Sequence, residues 1–265
     1  MDITFKDFII GDFEGKVELY GGLWCNLHII LMVLLAVWLI ACAIWFYKKP
    51  AFARKFCYML CWVMIISRVV RMAVLFIVRG DSFVEILPWH LCHILAFVFP
   101  LYYFTRAKFF ALPVLLLTFF GGILTFVFGD YYKYAMMSFL DIESIGLHFM
   151  MPTVVIGALA GGVLKLNLKQ VWEIPIALAV LVGYACLGNW LVPGANFMYL
   201  KSNGLPFDLF PGHSHLYTYA VVAAILITAF LIPFIIAAIV KKQKQKRATN
   251  LQAHYLYGRE PKNAK

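Results

Sequence analysis

Residues 23–47 read LWCNLHIILMVLLAVWLIACAIWFY, a stretch of 25 residues without a single Asp, Glu, Lys or Arg. An apolar run of about 18 or more residues is long enough for one helix to cross the hydrocarbon core of a bilayer. Six further stretches are comparably apolar when the sequence is read in windows of about 19 residues. The predicted spans are residues 23–47, 55–78, 84–103, 109–128, 145–164, 171–191 and 216–240.

The composition of the whole chain agrees with this interpretation. Hydrophobic residues make up 63% and charged residues only 14% of the 265 positions, and the mean hydropathy is +0.84. Because a soluble domain usually carries about 25% charged residues, soluble enzymes, coiled coils and disordered chains are excluded. The spans lack the alternation of apolar and polar residues that is typical of barrel strands. We predict an all-α membrane protein, a bundle of seven transmembrane helices.

The positive charges predict the orientation of the bundle. The net charge is +10, and Lys and Arg cluster in the connections at 48–55, 106–108 and 165–169 and in the segment KKQKQKR at 241–247. Because Lys and Arg are retained on the cytoplasmic side, we expect the N-terminus outside and the C-terminus in the cytoplasm. Topology also explains the basic tail, which directly follows a predicted span, so no nucleic-acid partner is expected.

We divide the chain into three parts. Residues 1–22 form an extracytoplasmic segment whose mixture of apolar and charged positions fits a short interfacial helix. Residues 23–240 form the seven-helix membrane domain, and residues 241–265 form a basic cytoplasmic tail. The expected location is a cell membrane, which the chain crosses several times. The sequence gives no indication of an oligomeric state.

Two arginines lie inside the second predicted span. Arg68 falls near mid-bilayer, and Arg71 lies on the same helix face about 4.5 Å further out. Arg71 could extend to the interface, but Arg68 is deep for that. Because charged side chains at membrane depth are costly and usually functional, we interpret the pair as ligands of an anionic group, with a purely structural pair as the alternative.

Six of the seven histidines lie toward the outer side of the membrane. His90 and His93 are about 60° apart on a helix and can face one cavity, whereas Cys92 is about 100° from His93 and can join them only at its flank. Residues 196–199 end at the same side. The predicted substrate-binding residues are Arg68, Arg71, His90, His93, His28, Asn196, Tyr199, His213 and His215.

The six cysteines indicate neither a disulfide framework nor a metal centre. Five lie inside predicted spans and Cys25 lies near the start of one, where a free cysteine mostly behaves as a small apolar residue. Cys57 and Cys61 belong to no paired CxxC set. The primary interpretation therefore includes no metal and no other cofactor.

Three strings resemble the YwaF and transmembrane protein 164 family of integral membrane proteins. They are LPWHLCHILAFVFP at 87–100, LHFMMP at 147–152 and PGANFMYLKSNG at 193–204. The resemblance covers the seven-span layout and most of the chain after the first span. It implies a lipid acyltransferase that places a fatty acyl chain on a lysophospholipid, with membrane lipid as its partner. By motif, the catalytic Cys and His fall on Cys92 and His148.

The chemistry that this resemblance implies is consistent with the residues. Acyl transfer by a cysteine proceeds through a thioester, with His148 removing the thiol proton and later activating the acceptor hydroxyl. Arg68 and Arg71 would bind a phosphate or stabilise the developing oxyanion. The aromatic segment at 129–144 can be interpreted as a lid at the outer surface, or as an ordinary interfacial aromatic belt.

Two alternatives of other classes use the same residues. One is a transporter or binding protein whose arginines hold an anionic small molecule or lipid. The other is a zinc-dependent membrane hydrolase. Its zinc ligands would be His90, His93 and one of His148, His213 and His215.

Overall fold

The computed structural model describes residues 3–18, 25–128 and 134–200. Within these ranges the regular elements are helices, and no strand is present. A π-helical turn, Leu75–Arg79, continues the third helix, and Gly80 ends it with a positive φ of 83°. The helices are α1 Phe5–Ile10, α2 Asn26–Lys48, α3 Pro50–Val74, α4 Leu91–Thr105, α5 Ala111–Phe128, α6 Phe139–Ala160 and α7 Glu173–Leu191.

Five of these helices are long and apolar enough to cross a membrane: α2, α3 with its π-helical turn, α5, α6 and α7. The shorter α4 is also apolar but has 15 residues. The prediction of an all-helical membrane protein is therefore confirmed for the described residues. The predicted span 216–240 and the tail 241–265 lie outside them, so the count of seven and the orientation of the termini stay predictions.

The third predicted span begins later than the sequence suggested. Its expected start was residue 84, but the helix begins at Leu91, and His90 is its extended N-cap. Pro88 explains the difference, because proline disfavours a helical conformation in the residue before it. The non-helical segment before α4 is held by Trp89, whose indole Nε1 donates a hydrogen bond to the backbone oxygen of Val84 at 2.7 Å.

Helix α6, which corresponds to the fifth predicted span, begins earlier than predicted. We expected residue 145 to open this span, but α6 starts at Phe139 because Ser138 and Asp141 cap each other reciprocally in a capping box. Residues 139–144, interpreted from the sequence as part of an outer-surface lid or belt, therefore belong to a transmembrane helix. Residues 129–133 of that segment lie outside the described residues.

The N-terminal segment contains a short helix, α1. Thr4 and Asp7 form a capping box at its start, and Gly11 ends it in the left-handed conformation. Lys16 Nζ lies 2.7 Å from a carboxylate oxygen of Asp7. This hydrogen bond and those from Thr4 lower the pKa of Asp7 to about 2. Helix α1 lies within residues 1–22, and the extracytoplasmic, interfacial position of this segment stays a prediction.

The core lies among α2, α3, α4, α5 and α6. Cys57 and Cys61 on α3 are completely buried there, together with Phe46 and Phe99. The described cysteines are free thiols. Gly157 of α6 lies directly against the sulfur of Cys57, so close that a methyl group on Gly157 would overlap it. A small residue at this crossing lets the two helices approach each other closely.

We expect Gly157→Ala to lower the stability of the protein by about 1–3 kcal/mol, since the added methyl group overpacks the crossing with Cys57. The measurement is the thermal unfolding midpoint of the purified protein in detergent. Gly183→Ala on α7 is the matched control, because nothing lies within 4 Å of the added carbon there. The double variant Gly157→Ala/Cys57→Ala should recover most of the loss, and a loss that persists in it would contradict this account of the crossing.

Candidate functional site

A buried ion-pair cluster joins α3 to α6. Arg68 on α3 is 2% exposed, and its Nη2 contacts the carboxylate of Glu143 on α6. Arg71 Nη1 lies 3.3 Å from the same carboxylate and donates to the backbone oxygen of Leu140 at 3.0 Å. The hydroxyl of Ser67 donates to the second oxygen of Glu143 at 2.6 Å. One carboxylate therefore receives two guanidinium groups and one hydroxyl.

Sequence reasoning missed Glu143. Its position among the acidic residues of an outer connection suggested an exposed side chain, whereas its side chain is only 6% exposed. The signal that could have identified it is the string SFLD at 138–141, a capping box that moves the start of the helix outward and brings Glu143 into its second turn.

A cavity of about 170 Å³ adjoins the two arginines. Two of its lining residues, His90 and His93, come from the start of α4, and their ring centroids are 5.4 Å apart. Arg79 and Phe197 also line it. The structure thus brings four of the predicted substrate-binding residues, Arg68, Arg71, His90 and His93, to one cavity.

Phe197 is the second residue of this site that sequence reasoning did not single out. Its ring packs edge-on against His90, with 5.3 Å between the centroids. The side chain of Asn189 on α7 binds both backbone polar groups of Phe197. Its amide nitrogen donates to the Phe197 oxygen at 3.1 Å, and its amide oxygen accepts from the Phe197 nitrogen at 2.6 Å. The string NFMYL at 196–200 contains Phe197, so the available signal was the second residue of a motif from which only Asn196 and Tyr199 were selected.

Cys92 and His148, the residues implied as catalytic by the resemblance, lie on α4 and α6. Cys92 is partly buried in the first turn of α4, whereas His148 is 1% exposed. His148 Nδ1 donates to the backbone oxygen of Ser144 at 2.6 Å, which leaves Nε2 as the nitrogen that can accept a proton. Neither Cys92 nor His148 is among the described residues that line the cavity, although Arg68 and Arg71 are.

The remaining predicted substrate-binding residues are placed differently. His28 of α2 is completely buried, and its Nε2 donates to the backbone oxygen of Phe126 at 3.1 Å, which ties α2 to the end of α5. His28 is not among the described residues that line the cavity. Asn196 directly precedes Phe197, and Tyr199 ends the 3₁₀ turn Phe197–Tyr199. The predicted residues His213 and His215 lie outside the described residues.

No candidate metal centre forms in the part of the chain that the structure describes. A group of three or more His, Cys, Asp or Glu side chains that could hold an ion does not occur among those residues. His90 and His93, proposed as zinc ligands in the hydrolase alternative, lie together, but the described residues add no third ligand to them. The two other candidate ligands, His213 and His215, lie outside those residues.

A model of the TMEM164 family matches residues 22–254, which is most of the chain and includes both the cavity and the ion-pair cluster. No curated protein and no solved structure matches the chain.

We expect Glu143→Gln to destabilise the protein by about 3–5 kcal/mol, because it leaves two buried guanidinium groups without their carboxylate. The thermal unfolding midpoint in detergent measures this loss. Glu14→Gln, which neutralises an exposed acid, is the control and should leave the midpoint unchanged. Adding Arg71→Gln to Glu143→Gln removes one of the like charges and should restore part of the loss. Equal midpoints for wild type and Glu143→Gln would show that the cluster is not structural.

Proposed function

The chain belongs to the TMEM164 family, and we propose that it is an integral membrane acyltransferase that moves a fatty acyl chain to or between lysophospholipids and phospholipids. Cys92 is the proposed nucleophile and His148 the proposed base. The observation that carries the proposal is that Cys92 of α4 packs against the core cluster that contains Leu147 and Met151, the neighbours of the buried His148 along α6. Membrane lipid is both its surroundings and its substrate.

The orientation of His148 supports its role as the base. Because Nδ1 is held by the backbone oxygen of Ser144, the ring is fixed in one tautomer and Nε2 carries the lone pair. A base that takes a proton from a thiol and returns it to a leaving group needs such a fixed tautomer. The buried position of His148 holds the ring in that orientation.

The reaction has two balanced halves. In the first half, His148 Nε2 takes the Cys92 proton, the thiolate attacks the acyl ester carbon, and the leaving alcohol takes the proton from His148 as the ester bond breaks. In the second half, His148 takes a proton from the acceptor hydroxyl, whose oxygen attacks the thioester carbon and expels the Cys92 thiolate, which regains the proton. No oxidant or reductant is consumed.

The surroundings of Cys92 favour transfer over hydrolysis. Cys92 packs against the apolar core that contains Leu147 and Met151, the residues one before and three after His148 on α6. An apolar wall excludes water, the competing acceptor of the acyl group. Arg68 and Arg71 supply positive charge where a tetrahedral oxyanion or a phosphate needs it. Together with His90, His93 and Asn196, they are the proposed substrate contacts near this site.

A second candidate function is an anion transporter or binding protein. One observation favours it: buried N–H groups of Arg68 have no hydrogen-bond acceptor among the described residues, and Arg68 lines the cavity. Such a protein needs the guanidinium groups but not the thiol. A substitution at Cys92 therefore separates the two functions.

We expect Cys92→Ser to reduce acyl transfer at least about 100-fold, because the hydroxyl is a far weaker nucleophile than the thiolate. The assay follows a labelled acyl chain from phospholipid to lysophospholipid with the purified protein in liposomes. Cys186→Ser, which replaces an exposed thiol on α7, is the matched control and should keep full activity. A label on the wild-type protein that hydroxylamine releases, absent from Cys92→Ser, would identify the thioester.

Full acyl exchange by Cys92→Ser would end the proposed mechanism. Absence of transfer by the wild-type protein, combined with saturable anion binding that Cys92→Ser retains, would favour the second candidate function.

A further inference from the structure

The buried charges between α3 and α6 do not balance. Arg68 and Arg71 carry two positive charges, and Glu143 supplies one negative charge to both. Arg79 also lines the cavity but is paired with Asp81, and the carboxylate of Glu85, which lines it too, is exposed to solvent, so neither residue changes the count of buried charges. The cluster therefore presents one uncompensated positive charge at membrane depth. Burying such a charge is costly unless an anion accompanies it.

Several N–H donors of the two arginines lack a hydrogen-bond acceptor among the described residues. Arg68 Nε and Nη1 and Arg71 Nε are buried and have no hydrogen-bond acceptor among the described residues. The Glu143 carboxylate, by contrast, accepts a hydrogen bond from Ser67 and forms ion pairs with Arg68 and Arg71. A guanidinium group that is 2% exposed loses its hydration without replacement, which costs free energy for each unmet N–H group. These donors are in position for an acceptor that approaches from the cavity.

The cavity has the size and lining for a compact oxyanion. Its volume of about 170 Å³ is far above the roughly 10–15 Å³ that a single water molecule requires, but it is too small for a whole lipid. Its lining includes Arg68 and Arg71 of α3, together with His90, His93 and Phe197, and the exposed Glu85. Donors that converge from two guanidinium groups and two imidazoles suit the several oxygens of a tetrahedral group better than the single plane of a carboxylate.

We propose that this cavity binds a singly charged phosphoryl group, a phosphodiester, with Arg68 as its principal ligand and Glu143 as the residue that sets the accepted charge. One negative charge on the ligand neutralises the cluster, whereas a phosphate dianion would leave an excess negative charge buried. The ligand is either the phosphodiester of a lipid headgroup or a free phosphate ester. This inference extends the proposed function by assigning the headgroup contact, but binding requires no acyl transfer.

The test measures binding to the full chain with Cys92→Ser, purified in a phosphate-free maltoside detergent, by isothermal titration calorimetry. The probes are dimethyl phosphate, inorganic phosphate at a pH where it is mostly a dianion, a lysophospholipid and the matching monoacylglycerol. We expect the monoanionic phosphodiesters to bind and monoacylglycerol to bind at least about tenfold more weakly than lysophospholipid. Lysophospholipid binding well above that of dimethyl phosphate identifies a lipid headgroup, and equal affinities identify a free phosphate ester.

Four variants make the test specific. Arg68→Gln should weaken phosphodiester binding at least about tenfold, and Arg68→Lys, which keeps the charge but loses the planar donors, should weaken it less. Glu143→Gln should shift the preference toward inorganic phosphate, because the cluster then carries two positive charges. Lys169→Gln, a cation of the 3₁₀ turn Leu168–Gln170 outside the cavity, should bind as the parent does.

A double variant guards against a folding defect. Arg68→Gln/Glu143→Gln keeps the cluster charge at one positive unit, so it avoids both an unpaired carboxylate and repelling guanidinium groups, and monodispersity on size exclusion verifies it. We expect it to lose phosphodiester binding, because the donors of Arg68 are gone. Unchanged binding in this variant, or monoacylglycerol binding as tight as lysophospholipid binding, overturns the proposal. Phosphodiester binding by the Cys92→Ser protein, combined with no acyl transfer by the wild-type protein, would overturn the proposed function alone.

Discussion

The ion-pair cluster of Arg68, Arg71 and Glu143 is the interaction on which the site depends. An arginine at mid-bilayer depth is tolerated only when a partner inside the protein meets it, and Glu143 provides that partner from a different helix. The cluster therefore fixes α3 against α6 at one register. Because a single carboxylate serves two guanidinium groups, it also leaves one positive charge unmatched beside the adjoining cavity, and the proposed binding of an anionic group is based on this charge.

The remaining walls of the cavity are set by helix ends. Pro88 delays the start of α4, so that His90 lies at its N-cap and His93 in its first turn. Asn189 holds the backbone of Phe197 against this turn. Gly188 permits this arrangement, because a side-chain carbon there would overlap the ring of Trp89. Residues at helix termini therefore shape a polar cavity inside an otherwise apolar bundle.

Several features were accessible from the sequence because they depend on local composition. Long apolar runs predicted α2, α3, α5 and α7 to within a few residues at most ends, since hydrophobic length determines whether a helix spans a bilayer. The depth of Arg68 followed from helical rise alone. The ends of α4 and α6 were placed less well, because a proline and a capping box determine them, and hydropathy windows average over both. His28 was assigned to substrate from its depth in the sequence, and only the structure shows that its ring joins α2 to the end of α5.

By itself, the sequence determined that this is a helical membrane protein with two arginines inside a span and histidines gathered near other spans. Those properties follow from one-dimensional patterns of apolar and charged residues. Only the tertiary structure decided that Glu143 neutralises one of the two arginine charges. It alone also showed that Phe197, His90 and His93 line a cavity with Arg68, and that His28 is not among the described residues of that lining. The physical reason is that a buried charge selects its partner by position across helices, and the order of residues along the chain does not encode which distant helix faces supply it.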